Sequence, residues 1–360
     1  MPWRNPSSEV LALTWEEALE RSKARVGQLT EICRRRGRVL VLMQDNPDPD
    51  ALASAMALRE LILRRCGKRA TIGYGGICGR AENQAMMEVL HIRARHMTPA
   101  QVRQFRIVCL VDTQPRTGNN ILTREPNIVI DHHLLPKRNA WSAEFADVRP
   151  DYGATSTILY EYLTSAGIRL SRDLATALFY GIQSDTQDLG REAGPLSLRA
   201  YQELFLRADK KKLARIRRAP VPASYFKMLA DSLSECVVAG KTVISQIPDC
   251  ENPDMVAEVA DLLLRLKGAH TTVCYGVCGD KIHVSARAVD ARDNMARRMK
   301  QAVRHLGTGG GHRTMAGGQV PAENEPERRL AQVRERILRA FAGKHEARPL
   351  VPAPDAERIA

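Results

Sequence analysis

The amino-terminal half of the chain predicts an α/β fold built on a parallel sheet. Short apolar runs recur at VLVLM (39–43), RATIGY (69–74), RIVCLVD (106–112) and NIVID (127–131). Helical stretches over 51–65, about 81–90 and about 98–104 fall between them. Alternation of this kind implies parallel strands flanked by helices.

The elements follow in order. Residues 14–36 read as a helix, with Trp15, Leu19, Val26, Leu29 and Ile32 on one face. After the four strands, helical segments run through ATSTILYEYLTSAG, LATALFYGIQSDT and LSLRAYQELFLRA. The basic stretch 209–223, which ends in APVPA, reads as a linker. A second unit then holds the strand-like KTVISQIP (241–248), a helix from about Asp254 to Lys267, and TTVCYGVCG and KIHVSARAV as two more strands. A helix over about 292–306 and the loop GTGGGH (307–312) complete it. The expected layout is an N-terminal helix (1–36), a first domain (37–208), the linker (209–223), a second and smaller domain (224–345) and a flexible tail (346–360).

Composition narrows the function classes. The 360 residues carry 54 Lys+Arg against 41 Asp+Glu, a net charge of +13, which favours polyanionic partners. The excess is clustered in RRRGR (34–38), KKK (210–212) and RIRR (215–218), runs that solvated helix faces also produce. Aromatic residues are 5% of the chain, too few for an extensive base-stacking platform. The eight cysteines form no CxxC pair; Cys274 and Cys278 would share a strand face as core thiols, with metal ligation as the alternative. MPWRNPSSEV has no signal pattern and no apolar run approaches the length of a membrane span, so the expectation is a soluble, reduced, cytoplasmic protein without membrane contact.

Chemistry gathers at the strand ends. VLVLM leads into Asp45, Asp48 and Asp50, RIVCLVD ends at Asp112, and NIVID ends at Asp131-His132-His133. A later helix ends in Ser184-Asp185-Thr186. Parallel strands bring their carboxyl ends to one edge, so these groups can converge. Several close carboxylates raise one another's pKa, and divalent cations relieve the conflict. Oxygen ligands with one imidazole suit Mn²⁺ or Mg²⁺. A single acid before Ala51 could equally be a helix cap.

The joint order of these motifs resembles the DHH phosphoesterase superfamily over about 300 residues. NPDPDALASA, VDTQPRTGN, IDHH and SDT look like its four motifs, and HVSAR with GTGGGHRTMAGG looks like the DHH-associated C-terminal domain. The compact layout is similar to the oligoribonuclease/phosphoadenosine-phosphate phosphatase branch and the cyclic-dinucleotide phosphodiesterases; the extra domain expected of the longer single-strand exonucleases is not seen. The resemblance implies a DHH domain and a smaller α/β C-terminal domain with the active site in the cleft between them. It implies Asp48, Asp50, Asp112, His132 and Asp185 as ligands of two Mn²⁺ ions, with Mg²⁺ as the other candidate. His133 falls on the substrate-polarising histidine, and Asp131 is expected to orient its neighbours.

One departure stands out. Four residues before Asp48 the family usually has histidine, and here that position is Gln44. A neutral amide oxygen is a weaker ligand, so the first of the two metal sites is expected to be weakened. Asp45 could compensate, although its side chain should point to the other face. The second site, from Asp50, Asp112, His132 and Asp185, is complete.

The implied reaction is hydrolysis of short single-stranded oligonucleotides or small nucleotides: RNA fragments, linear or cyclic dinucleotides, or phosphoadenosine phosphate. Arg116, Arg287, Gly309, Gly310, Gly311 and His312 would hold the substrate, the glycines because backbone N–H groups without Cβ atoms can close on a phosphate. The alternatives are a catalytically weakened nucleotide sensor or a single-strand exonuclease. Inorganic pyrophosphatase activity, found elsewhere in the superfamily, is disfavoured by the nucleotide-directed C-terminal motifs. Exposed helices of the first domain offer a surface for a homodimer.

Overall fold

The computed structural model describes residues 13–134, 141–190, 193–311, 313–322 and 325–351. The chain divides into two units between Ala219 and Pro220.

The first unit runs α1 (Trp15–Arg34), β1 (Val39–Leu42), α2 (Pro49–Cys66), β2 (Thr71–Tyr74), α3 (Ala81–Val89), β3 (Ala94–His96), α4 (Pro99–Val102), β4 (Ile107–Val111), β5 (Ile128–Asp131) and β6 (Phe145–Val148). Helices α5 (Thr155–Ser165), α6 (Arg172–Asp185), α7 (Pro195–Arg207) and α8 (Lys210–Arg217) follow. The strands form one sheet in the order β3-β2-β1-β4-β5-β6, and every neighbouring pair is parallel. Strands β1 and β4 are buried at every position, as central parallel strands covered on both faces must be.

Small residues set how the helices stack. Helix α2 offers Ala51, Ala53, Ala55 and Ala57, all fully buried. Gly181 of α6 lies against it so closely that a Cβ there would stand 2.5 Å from Ser156 Oγ, 3.1 Å from Ala53 Cβ and 3.2 Å from Asp50 Cα. That approach brings the end of α6 over the start of α2.

The second unit runs α9 (Ala223–Ser234), β7 (Val237–Ala239), β8 (Thr242–Gln246), α10 (Pro253–Leu263), β9 (Thr271–Cys278), β10 (Lys281–Ala288), α11 (Met295–Ala302), β11 (Thr308–Gly311), β12 (Met315–Pro321), α12 (Pro326–Ile337) and β13 (Arg348–Pro349). Its sheet has the order β11-β12-β10-β9-β8-β7-β13, with β8 and β9 parallel and the other pairs antiparallel. Alternate residues feed two cores. Ile244, Val273 and Tyr275 face one, and Val243 and Cys274 face the other.

Strands β3, β6, β7, β12 and β13 and helix α12 are absent from the expected elements, and the helix expected over 98–104 shortens to Pro99–Val102. The expected linker is helical over Lys210–Arg217, because Leu213 and Ile216 are buried in the first unit's core. The N-terminal helix is part of the same core rather than a separate segment, and its expected residues 1–12 lie outside the described residues. The tail is held at its start: Arg348–Pro349 pairs with Val237–Val238, and Leu350 N donates to Cys236 O. Cys278 is bonded to Cys250, 28 residues away, while Cys274 is a buried thiol. The stretch that leads into α10 brings the Cα atoms of that pair to 5.1 Å, so the expectation of thiols throughout does not hold there. Among the described residues no helix is long and apolar enough to cross a membrane.

Candidate metal centre

Strand order reverses between β1 and β4, since the chain leaves β1 toward β2 on one side and returns to β4 on the other. In open parallel sheets ligands bind in the crevice outside the carboxyl ends of the strands at such a point. Asp48 and Asp50 follow β1, Asp112 follows β4, and Asp131-His132-His133 close β5. Asp185 is the last residue of α6. All of them belong to the first unit.

Asp50 is 1% exposed. Its carboxylate sits on the N-terminus of α5, where Thr155 N donates to Oδ2 at 2.7 Å and Ser156 N donates to Oδ1 at 2.8 Å. Thr155 Oγ1 donates to Asp112 Oδ1 at 3.0 Å, so one residue ties two acids. Asp112 has φ of 57°, a left-handed conformation that costs energy outside glycine and clusters at functional sites. His132 Nε2 lies 2.9 Å from Asp185 Oδ2 and 3.7 Å from Asp112 Oδ1. Two sets of potential ligand atoms each lie within 4.8 Å of one another: Asp50, His132 and Asp185, and Asp112, His132 and His133. Behind them, His133 Nδ1 is 2.8 Å from Asp131 Oδ1, and Gln114 Nε2 donates to Asp131 Oδ2 at 2.6 Å.

The donor set fits a divalent cation. His132 Nδ1 lies 3.1 Å from the Tyr152 carbonyl oxygen, an atom that can only accept. Nδ1 therefore carries the hydrogen, and in the neutral ring Nε2 carries the lone pair. Nε2 is buried and makes no aligned hydrogen bond despite its short distance to Asp185. A buried lone pair facing carboxylates, with the other ring nitrogen fixed by a carbonyl, is the usual setting of a metal-bound histidine.

Without a cation the cluster is relieved by protons. Burial, then Asp185 and Asp50, push Asp48 up to about 6. Burial and the neighbouring acids hold Asp112 well above the ordinary carboxylate range and raise Asp50 as well. Burial alone would lower His132, but the Asp185 carboxylate overrides it and takes the imidazole up to about 10. Asp131 moves the other way: burial would raise it, but the His133 hydrogen bond and charge, with His132 and the Gln114 hydrogen bond, together outweigh burial.

A group that holds its proton more tightly when folded stabilises the fold at low pH, and that contribution is lost as pH rises through the folded pKa. For Asp48 the window runs from about 4 to about 6, and for His132 from about 6.5 to about 10. Metal-free protein is expected to lose thermal stability as pH rises through these windows, with Asp131 opposing only at the acid end. Mn²⁺ replaces the protons, so its stabilisation should be larger at about pH 8 than at about pH 5.5. Thermal unfolding at both pH values, with chelator and with Mn²⁺, measures this. A Mn²⁺ shift independent of pH would contradict it.

Asp48 belongs to neither ligand set, and the arginines expected to hold substrate have partners within their own units. Asp48 caps α2: Oδ1 accepts from Ala51 N at 2.9 Å, and Oδ2 accepts from Gln44 Nε2 at 3.0 Å. Gln44 thus turns its amide nitrogen, not its oxygen, to Asp48. Asp45 faces the Gly75–Gly76 loop, where a Cβ on Gly75 would lie 2.3 Å from its Oδ1. It does not compensate for Gln44. Arg116 is paired with Glu125 at the surface. Arg287 donates to Asp261 Oδ1 at 2.6 Å and to Ser285 Oγ at 2.7 Å, so its charge is already matched. Gly309, Gly310 and Gly311 form strand β11 rather than a loop. A Cβ on Gly309 would lie 2.8 Å from Val303 Cγ2, and Gly311 has φ of 136°, so packing and backbone conformation account for both. His312 lies outside the described residues.

Sequence reasoning missed Gln114, Tyr152, Thr155 and Ser156. Three of these four act through backbone atoms. The segment GATST at 153–157 offered the one available signal, a helix start rich in hydroxyls beside the strand ends.

Residues 38–182 match the model of the DHH family N-terminal domain. Residues 239–340 match that of the DHHA1 domain. The chain has the DHH–DHHA1 architecture. An uncharacterised protein of Methanocaldococcus jannaschii is 36% identical over 320 residues, 86% of this chain and 65% of that protein. A probable manganese-dependent inorganic pyrophosphatase of Bacillus cereus is 28% identical over 151 residues, 41% of this chain and 48% of the relative. The chain therefore spans about two thirds of the first relative and about half of the second. A solved exopolyphosphatase-related protein from Bacteroides fragilis shares the fold, with a TM-score of 0.64 at 16% identity over 92% of this chain and 98% of the other. Both DHH and DHHA1 matches fall within the respective structural units, and the metal-centre residues 48–133 fall in the DHH match, with Asp185 just beyond its end.

Proposed function

We propose that the chain is a metal-dependent phosphoesterase of short single-stranded oligonucleotides or small nucleotides. The observation that carries the reading is the His132 ring, held through Nδ1 by Tyr152 with Nε2 buried among Asp112 and Asp185. Asp50, Asp112, His132 and Asp185 would hold the stronger divalent cation, and Asp48 with Gln44 would contribute a weaker second one. When bound, such cations supply a water acidic enough to attack phosphorus near neutral pH. Asp131 holds His133, whose raised pKa keeps a proton near the reacting phosphoryl group, where it can stabilise oxygen charge or reach the leaving group. Burial opposes that proton and Asp131 more than restores it. The buried Thr155 and Ser156 hold Asp50 in one orientation without adding charge.

Manganese is favoured by the donor set and by the likeness of the DHH half to a manganese-dependent pyrophosphatase. That likeness covers only the DHH half, so it supports the shared centre and says little about substrate. Nucleotide substrates are supported by the DHHA1 unit and the net charge of +13. The test is Mn²⁺-dependent release of mononucleotide from an RNA dinucleotide, with phosphoadenosine phosphate, a linear cyclic-dinucleotide product and pyrophosphate as competing substrates.

The weakened-site reading has its own observation, the Gln44 amide that occupies Asp48 Oδ2. Gln44→His is expected to lower the Mn²⁺ concentration for half-maximal activity by roughly tenfold, since an imidazole lone pair replaces a hydrogen-bond donor. An unchanged Mn²⁺ response would show that Gln44 is not what limits the weaker site beside Asp48.

A further inference from the structure

Helix α1 lies outside the DHH match, which starts at residue 38, yet its side chains reach the group that orients His132. The Tyr152 side chain, 3% exposed, is fixed by three bonds: its hydroxyl accepts from Arg21 Nη2 at 2.8 Å and Arg149 Nη1 at 3.1 Å, and donates to Glu161 Oε1 at 2.7 Å. Arg149 is 4% exposed and spans Asp147 (2.7 and 3.0 Å) and Glu161 (2.6 Å). Ser22 of α1 donates to Glu161 Oε2 at 2.9 Å and accepts from Arg149 Nη2 at 3.2 Å. Arg25 of α1 stands 3.9 Å from Asp147.

Two features make this more than core packing. Inside the first unit's matched region, two buried carboxylates face one guanidinium; Arg21 and Arg25 from α1 supply the remaining positive charge, and Ser22 fills the remaining hydrogen bonds. The network also touches the metal centre from both sides of the histidine. Arg149 N donates to Asp131 O at 2.9 Å, one residue before His132, and the Tyr152 carbonyl accepts from His132 Nδ1.

We infer that α1 is a working part of the metal centre: Arg21, Ser22, Arg149, Tyr152 and Glu161 are positioning residues that hold the Tyr152 carbonyl on His132 Nδ1 and so keep Nε2 available to the cation. The inference rests on the metal-centre reading above. Loss of the tyrosine hydroxyl frees the 149–153 turn to shift, and a histidine whose outer partner moves binds metal more weakly by about tenfold or more.

The test is calorimetric titration of Mn²⁺ into the metal-stripped full chain, with ring-nitrogen NMR reporting the His132 tautomer. Tyr152→Phe is expected to weaken Mn²⁺ about tenfold and to mix the tautomers. Arg21→Met, at an exposed position, should act in the same direction by a few-fold, and decides the matter if Tyr152→Phe fails to fold. Tyr160→Phe is the control; it removes another buried tyrosine hydroxyl, bonded to Glu203 at 2.6 Å, and should bind as the native chain does. Native Mn²⁺ affinity and tautomer in Tyr152→Phe and Arg21→Met, alongside lost binding in Asp185→Ala, would overturn the brace alone. Native binding in Asp185→Ala would overturn the metal centre and the inference with it.

Discussion

Asp185→Ala is expected to abolish Mn²⁺-dependent phosphoester hydrolysis, by on the order of a thousandfold or more, while the chain keeps its fold. A thousandfold corresponds to about 4 kcal/mol of barrier. The side chain is 28% exposed and ends helix α6, so its removal opens no cavity in the core. Its loss also removes a negative charge that raises Asp48, Asp50 and Asp112, which offsets the loss of its contact with His132. Steady-state hydrolysis beside thermal unfolding in chelator separates the two effects. An inactive variant that unfolds far below the native chain would point to a structural rather than a ligand role, and an active one would remove Asp185 from the centre.

The largest effect on stability is expected at Arg149. Arg149→Met leaves Asp147 and Glu161, 4% and 0% exposed, without their shared cation. Breaking a buried ion pair from one side costs about 3–5 kcal/mol, because the remaining charge stays buried. For a unit of this size that is roughly 6–20 °C in Tm. Tyr162 Oη, which donates to Asp147 Oδ2 at 2.5 Å, softens the loss but cannot supply charge. The penalty should shrink as pH falls, because Asp147, whose pKa the Arg149 pairing holds down against burial, takes up a proton more readily once Arg149 is gone. Thermal unfolding at about pH 5 and about pH 8 checks both points; a loss under about 1 kcal/mol would mean that solvent reaches the network.

The parallel sheet and its acidic edge were legible because both are written in local sequence. Apolar runs end in Asp48, Asp112 and Asp131, and parallel pairing carries those ends to one edge. What could not be read was partnership across distance. Arg116 and Arg287 look like free cations until folding brings Glu125 and Asp261 to them. The glycines at 309–311 look like a phosphate loop because their composition suits one; the strand they form is imposed by β12 and by close packing on Val303. Strands β3 and β6 are short, and β3 is a half-exposed edge, so neither carries a continuous apolar run. The contact that orients His132 is a backbone carbonyl, and carbonyls leave no trace in side-chain patterns. Gln44 was visible as a departure, but its donor role toward Asp48 depends on which end of the amide faces the acid.

In the proposed function, Asp50, Asp112, His132 and Asp185 form a cation site that drives phosphoester hydrolysis. The most direct measurement is a Mn²⁺ titration of metal-stripped native chain and Asp185→Ala, reading bound Mn²⁺ by electron paramagnetic resonance and dinucleotide cleavage in the same samples. The expected result is one tightly bound Mn²⁺ in the native chain, cleavage that rises with further Mn²⁺ as the weaker site fills, and loss of both in Asp185→Ala. Tight Mn²⁺ binding that survives Asp185→Ala, or a native chain that binds none, would contradict it.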